Sequence, residues 1–176
     1  MKYNPSEPNI ICATGIDRSI ILYDLRGESP IQKIYLNNKC PCLAFNPIEP
    51  MNFAVGSEDS NCYTFDMRKM DTAKTIHRDH IGAVMDLDYS PTGREFVTGS
   101  FDRTVRIFGF DQGRSREVYH AKRMQIVNSV IFSADAHYVF SGNSHLIQDL
   151  RIWTLDFGKA RLQGRPEMST NVKKEQ

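Results

Sequence analysis

The chain has 176 residues, of which 40% are hydrophobic, enough for one domain with a sizeable apolar core. Its formal net charge of +1 excludes uniform attraction to polyanions such as nucleic acids. No run approaches the roughly 18 apolar residues of a membrane-spanning helix, and no signal peptide is recognisable, so we expect no membrane association and a reducing compartment.

Short runs of alternating apolar and polar residues, separated by Gly, Pro, Asp and Ser, extend from the start of the chain to about residue 153. Four such runs end in a glycine and are each followed by a polar turn and another apolar run. The glycines are Gly15, Gly56, Gly99 and Gly142. They are 41, 43 and 43 residues apart. A period near 43 with about four strands per unit is typical of β-propeller blades.

The sequence therefore predicts an all-β fold, a partial propeller of about three and a half four-stranded antiparallel blades over residues 1–155. Residues 9–14 are predicted as a second strand, so the first blade is expected to be incomplete. The polar turn of the first unit is one residue shorter than in the third, and the turn at 143–149 is two residues longer. Residues 156–176 lose the strand pattern and are predicted to form a short polar tail, mobile or weakly helical.

The third unit resembles the WD-repeat family most closely. His80 stands at the place of the histidine in that family's Gly-His pair, and Asp79 replaces the glycine. Ser100 and Asp102 match the family's turn serine and aspartate, and Phe108 stands in place of its tryptophan. The resemblance implies a buried structural network within the blade. An acid–base pair or a metal site is the alternative, but a satisfied polar network requires no chemistry.

A closer resemblance is to the Sof-type WD-repeat proteins of the small-subunit processome. It rests on four runs, at residues 63–68, 88–93, 100–103 and 114–125. It implies a nucleolar, hence nuclear, scaffold that binds pre-ribosomal RNA, snoRNP and processome proteins during small-subunit (18S) rRNA processing. Neither catalysis, a cofactor nor a small-molecule substrate is implied.

One basic segment is the candidate RNA-binding surface. Its members are Arg114, Arg116, Tyr119, Lys122 and Arg123. Lysine and arginine neutralise phosphates while an aromatic ring stacks on a base. The alternative is a solvated loop between two blades, where basic residues are common.

Two short motifs suggest a second function, that of a substrate receptor of a cullin-4 type ubiquitin ligase. Some WD-repeat proteins dock on the ligase's adaptor through a Trp-Asp-x-Arg motif at the end of the third strand. Here Asp24 with Arg26, after a tyrosine, and Asp66 with Arg68, after a phenylalanine, resemble it. The alternative is that each aspartate caps a turn and each arginine pairs locally.

Metal and catalytic sites are not predicted. Cys40 and Cys42 are too close for a usual zinc knuckle, and Cys12 and Cys62 are predicted to be core residues. Asp86 and Asp88 share one face of a strand, but we expect that face to border solvent or the propeller channel rather than to hold a catalytic pair.

Overall fold

The computed structural model describes residues 1–120, 124–143 and 150–155. These residues form three four-stranded sheets and one three-stranded sheet, all antiparallel. The all-β, partial-propeller prediction is confirmed. The expectation of an incomplete first blade was wrong, because a two-residue strand at residues 2–3 pairs with residues 11–12 and gives that blade four strands. The predicted tail and the turn residues 144–149 lie outside the described residues. Nowhere in the described ranges is there a helix that could cross a membrane.

Each sheet is one blade, and its strands are numbered in chain order. Blade 1 contains β1 (Lys2–Tyr3), β2 (Ile10–Thr14), β3 (Ser19–Asp24) and β4 (Pro30–Tyr35). Blade 2 contains β5 (Cys42–Phe45), β6 (Asn52–Gly56), β7 (Asn61–Asp66) and β8 (Thr75–Arg78). Blade 3 contains β9 (Val84–Tyr89), β10 (Glu95–Ser100), β11 (Val105–Gly109) and β12 (Ser115–Tyr119). Blade 4 contains β13 (Val127–Phe132), β14 (Tyr138–Asn143) and β15 (Leu150–Thr154).

The strand pairing shifts the first unit by one residue from the predicted alignment. Thr14, not Gly15, pairs across the hairpin as Gly56 and Gly99 do in the next two blades. Gly15 lies in the turn, where its N–H donates to the Ser19 carbonyl. The turns are equally long in blades 1 to 3, so the expected shorter first turn was wrong. Their counterpart residues with positive φ are Arg18, Ser60 and Arg103. Gly15 gave a wrong alignment because the geometry of the turn, rather than the position of a glycine, sets the register of strand pairing.

Neighbouring blades pack face to face, and successive residues of one strand face opposite neighbours. In β10, Phe96 belongs to the apolar cluster shared with blade 2. The next residue, Val97, belongs to the cluster shared with blade 4. A third cluster joins blades 1 and 2 around Leu22 and Phe53. Complete burial of each such side chain stabilises the fold by about 1.5–3 kcal/mol.

The four cysteines are buried free thiols within these blades. The prediction that Cys12 and Cys62 are core residues is confirmed, since both are fully buried. Burial raises the pKa of the Cys12 and Cys40 thiols to about 12. In the described part of the chain, no three His, Cys, Asp or Glu side chains are grouped so that they could hold a metal ion.

Candidate binding surfaces

The polar network of blade 3 joins the segment before the blade to the turn between its second and third strands. His80 Nδ1 lies 2.8 Å from Asp102 Oδ2, and His80 Nε2 lies 2.7 Å from Thr98 Oγ1. Both partners of the His80–Asp102 pair have only 1% of their side-chain surface exposed. Asp102 also accepts the N–H of Ile81 at 3.1 Å and the hydroxyl of Thr104 at 2.6 Å. The carboxylate therefore has partners on both oxygens.

The electrostatics of this network favour an ionised Asp102. Burial alone would raise the pKa of Asp102, but hydrogen bonds from His80 and Thr104 outweigh it and hold that pKa well below its usual range. Ser100 completes the turn, because its hydroxyl donates to the Gly82 carbonyl at 3.0 Å and accepts the Asp102 N–H at 3.2 Å. An enclosed, fully paired set of this kind favours the structural interpretation over acid–base chemistry.

Phe108 lies beneath the network. Its ring stacks on Phe96 with 5.6 Å between the centroids, and its centroid is 6.1 Å from that of His80. It is fully buried. The aromatic ring thus supplies an apolar floor that keeps water from the histidine and its partners.

The two Asp-x-Arg motifs have the same geometry in blades 1 and 2. Arg26 Nε and Nη2 lie 2.9 and 2.8 Å from Asp24 Oδ1 and Oδ2. Arg68 Nε and Nη2 lie 3.0 and 2.6 Å from Asp66 Oδ1 and Oδ2. These hydrogen bonds lower the pKa of both carboxyl groups. Each pair begins where the third strand ends, so two equivalent pairs lie at the same edge of adjacent blades.

The arginines of these pairs remain open to solvent. The exposed fraction of the side chain is 63% for Arg26 and 71% for Arg68, whereas their aspartates are about one quarter exposed. Each guanidinium is therefore held in a fixed orientation by local pairing and still presents an outer edge. The geometry shows local pairing, which is the alternative that the sequence left open. The same pairing fixes the orientation in which a partner would contact each guanidinium.

The middle of the basic segment forms a strand rather than the loop that the sequence left open as an alternative. Residues Ser115–Tyr119 form β12, the outermost strand of blade 3, because they pair with β11. Arg114 Nη1 lies 3.0 Å from Asp79 Oδ1. Arg116 lies 2.9 Å from carboxylate oxygens of both Glu95 and Glu117. The sequence count of charges missed these pairs because Asp79 and Glu95 lie far away along the chain.

Tyr119, another described member of the basic segment, contacts neighbouring side chains. The Tyr119 hydroxyl donates to Glu117, and its ring packs beside Trp153 with 5.3 Å between centroids. Lys122 and Arg123 lie outside the described residues. The structure thus places Arg116 and Tyr119 on β12 and Arg114 directly before that strand, among acidic partners.

Sequence reasoning missed the role of two carboxylates between blades. Asp86 Oδ2 accepts the Val130 N–H, and Asp88 Oδ2 accepts the Phe132 N–H, each at 2.9 Å. The expectation of a face bordering solvent or the channel was therefore incomplete, because both side chains satisfy the open edge of β13. Acidic residues at alternate positions of the first strand of a blade could have indicated that they accept backbone N–H groups of the next blade.

A repeated asparagine was missed as well. Asn4 Nδ2 donates to the Pro50 carbonyl at 2.7 Å, and Asn46 Nδ2 donates to the Gly93 carbonyl at 2.8 Å. Each asparagine follows the first strand of its blade and joins the corresponding turn of the next blade. The signal was an Asn at the same place in two units, which is easily taken for a simple turn residue.

Comparisons with known proteins agree with this architecture. The family model described as "WD domain, G-beta repeat" matches residues 72–109, which cover the network of blade 3. The chain is 48% identical over 153 residues to "DDB1- and CUL4-associated factor 13" of Danio rerio, covering 87% of this chain and 34% of that protein. The protein of the same name from Xenopus tropicalis is 49% identical over an equal span.

A yeast relative extends the comparison. "Protein SOF1" of Saccharomyces cerevisiae is 45% identical over 153 residues, covering 87% of this chain and 31% of that protein. The chain thus spans about one third of the length of the curated relatives it matches. The blade architecture, the repeat match and these similarities together identify the chain as a Sof-like WD-repeat protein.

Proposed function

We propose that the chain is a non-catalytic scaffold that docks a protein partner through the two exposed Asp-x-Arg pairs of blades 1 and 2. The observation that carries this proposal is the duplication of one geometry, a guanidinium locked by its own aspartate, at equivalent edges of adjacent blades. Each aspartate also caps its turn, since it accepts the backbone N–H of its own arginine at 2.9 Å. The exposed ion pair itself adds little to stability, so capping alone does not explain why both copies carry an arginine.

The names of the relatives supply the partner class. Those proteins are named for association with DDB1 and CUL4. A DDB1-type adaptor is therefore the proposed partner, and the proposed role is that of a substrate receptor of a cullin-4 type ubiquitin ligase. Arginine suits this task because its planar, weakly hydrated fork is enriched among residues that dominate interface affinity.

Scaffolding of ribosome biogenesis is the second candidate, and the two roles are compatible. It is favoured by the 45% identity to SOF1 across 153 residues. We propose that pre-ribosomal RNA, snoRNP and processome proteins contact the chain in the nucleus and nucleolus. Arg114, whose side chain is 87% exposed despite its contact with Asp79, is the described residue of the basic segment best placed to reach a phosphate.

A charge-reversal experiment separates the two candidates. The Arg26→Glu/Arg68→Glu variant should lower affinity for purified DDB1 by about tenfold or more and leave pre-rRNA binding unchanged. Arg114→Glu with Lys122→Glu and Arg123→Glu should have the opposite effect. Arg78→Glu, an exposed arginine on β8, serves as the charge-matched control. If neither set alters either association, both surface assignments are wrong.

A further inference from the structure

A second buried histidine joins blade 2 to blade 3. His77 lies on β8, the outermost strand of blade 2, and only 1% of its surface is exposed. Its Nδ1 lies 2.6 Å from the Gln112 carbonyl oxygen in the turn between β11 and β12, and its Nε2 lies 2.7 Å from Thr64 Oγ1 on β7. The ring therefore has one partner in its own blade and one in the next blade.

These two partners allow one neutral form of the ring. A carbonyl oxygen can only accept a hydrogen bond, so Nδ1 must carry the proton that is donated to Gln112. In the neutral ring Nε2 then has no hydrogen and accepts the hydroxyl of Thr64. A second proton on Nε2 would remove this acceptor, and the hydroxyl would have to turn away.

Aromatic rings and neutral groups surround His77. In blade 3 its ring meets the rings of Phe96 and Phe108 edge-on, with centroid distances of 4.8 and 5.5 Å. Its cross-strand neighbour in blade 2 is Cys62, and Tyr89 on β9 packs on Phe96 with 5.5 Å between centroids. Burial raises the pKa of both Cys62 and Tyr89, so neither side chain supplies a negative charge.

The charged groups near His77 do not compensate for its burial. Burial lowers the pKa of His77 from its usual value of 6.5, while the hydrogen bond to Gln112 and the exposed Asp111 carboxylate oppose this only in part. His80, the other buried histidine described above, has Asp102 as its own partner. A neutral ring at position 77 is therefore the form that fits between the two blades.

His77 is the first of three successive residues that hold the same turn of blade 3. The Arg78 N–H donates to the Gly113 carbonyl at 2.9 Å, and Asp79 accepts the Ser115 N–H at 2.6 Å. Together with the contact between His77 and the turn, these hydrogen bonds form what we call the blade 2–3 clamp. Of its three members on the blade 2 side, histidine is the one whose ordinary pKa lies close to neutral pH.

The blade fold itself does not require a histidine at this position. By strand pairing, the counterpart of His77 is Ile34 in blade 1 and Tyr119 in blade 3. Ile34 packs against the apolar core between blades 1 and 2. An apolar side chain thus suits the same place in a neighbouring blade, and what His77 adds is a titratable contact with the next blade.

We propose that His77 is an acid-sensitive switch of the blade 2–3 clamp, which is closed while the ring is neutral and opens when the ring gains a second proton. In the open form the Gln112 carbonyl is released and the turn at residues 109–115 loosens, while the strands of both blades stay paired. The pKa of His77 is lowered in the fold, so the stabilisation by the clamp is present above pH 6.5 and is lost as the pH falls through the folded-state pKa.

Amide hydrogen exchange of the 176-residue chain at about pH 7.5 and about pH 5.5, corrected for the intrinsic effect of pH, tests this switch. Protection of the Arg78 and Ser115 N–H groups, which belong to the clamp, should fall by about tenfold at the lower pH. The reason is that an opened histidine with a pKa near 6.5 is about ten times more often charged than neutral one pH unit below that value. The strand β4 of blade 1 should keep its protection.

Two variants and one spectroscopic measurement complete the experiment. His77→Asn keeps an amide nitrogen that can donate to the Gln112 carbonyl but does not titrate, so its clamp should be equally protected at both pH values. His120→Gln removes an exposed histidine and is the matched control, which should keep the tenfold loss. Nitrogen-15 NMR of the wild type does not depend on how well a variant folds. It should show the His77 proton on Nδ1 and a second proton only below pH 6.5.

Four results would overturn the proposal. The first is equal protection of the wild-type clamp at both pH values, and the second is an equal acid-induced loss in His77→Asn. The third is a neutral His77 ring with its proton on Nε2. The fourth is a simultaneous loss of protection in all blades, because acid would then unfold the whole arc of four blades rather than open the clamp.

Discussion

At the scale of single residues, aspartate has three different tasks in this chain, and its surroundings decide which. One group caps the turns between second and third strands: Asp17, Asp59 and Asp102. A second group holds arginines at the blade edge: Asp24 and Asp66. A third group accepts backbone N–H groups of the neighbouring blade: Asp86 and Asp88. None of these tasks is catalytic, so an aspartate motif in this chain indicates a structural role before a chemical one.

Asp102 should be the most sensitive aspartate to substitution. Asp102→Ala removes the partner of a buried histidine and should lower the free energy of unfolding by roughly 3–5 kcal/mol at pH 7, measured by urea denaturation. The pKa of Asp102 is lowered in the fold from 3.8, so its stabilisation is present above pH 3.8 and is lost as the pH falls through the folded-state pKa. Asp102→Ala should lack this acid-dependent component. Unchanged stability at pH 7 would contradict a structural role for the network.

Asp88 should behave in the opposite way. Burial raises the pKa of Asp88 above 3.8, so its contribution is present below pH 3.8 and is lost as the pH rises through the folded-state pKa. Asp88→Asn keeps an acceptor for the Phe132 N–H and should leave the free energy of unfolding at pH 7 equal or higher. Asp88→Ala leaves that N–H unpaired and should cost about 1–3 kcal/mol. An equal loss of unfolding free energy in both variants would show that the hydrogen bond to the Phe132 N–H does not contribute to stability.

At the scale of elements, the close approach of neighbouring blades depends on glycine at defined positions. Gly99→Ala places a Cβ 2.6 Å from Val127 Cγ1 and 2.9 Å from Val130 Cγ1 and should destabilise the fold by about 1–3 kcal/mol. Gly142→Ala is the matched control, since no atom of the described chain lies within 4 Å of the new group. Thermal melting should show a lower melting temperature for Gly99→Ala than for Gly142→Ala. Equal melting temperatures would mean that the interface between blades 3 and 4 adapts without cost.

The strands were predictable from sequence where a local pattern fixes them. The alternation of apolar residues in β9 and β10 and the turn signals between them are local, and the predicted run that ends in Gly99 corresponds to β10. The sequence of β12 suggested a loop because its side chains alternate only between half-buried and exposed, as suits an outermost strand. The ion pairs of Arg114 and Arg116 depend on strand pairing across distant residues, which local patterns do not reveal.

At the scale of the whole molecule, the blades are coupled to one another by more than apolar packing. Asn4, Asn46, Asp86 and Asp88 each donate to or accept from the backbone of the following blade. Every adjacent pair of blades in the described chain thus shares a core and at least one hydrogen bond from a side chain. The arc should therefore unfold as one cooperative unit.

The chain's single tryptophan reports on this coupling. Trp153 lies in blade 4 beside Tyr119 of blade 3, so its fluorescence follows the end of the arc, while far-UV circular dichroism follows all strands. The two signals should change at the same urea concentration. A Trp153 transition at lower urea, followed by a separate loss of strand signal, would show that blade 4 unfolds independently.

The most direct test of the proposed scaffold is hydrogen exchange of the chain with and without DDB1. Binding through the paired arginines should slow exchange at the turns that follow β3 and β7, residues 24–29 and 66–72. The turns at the opposite edge of the same blades, residues 15–19 and 57–61, should be unchanged. Protection confined to those opposite turns, or no protection at saturating DDB1, would contradict docking through Arg26 and Arg68.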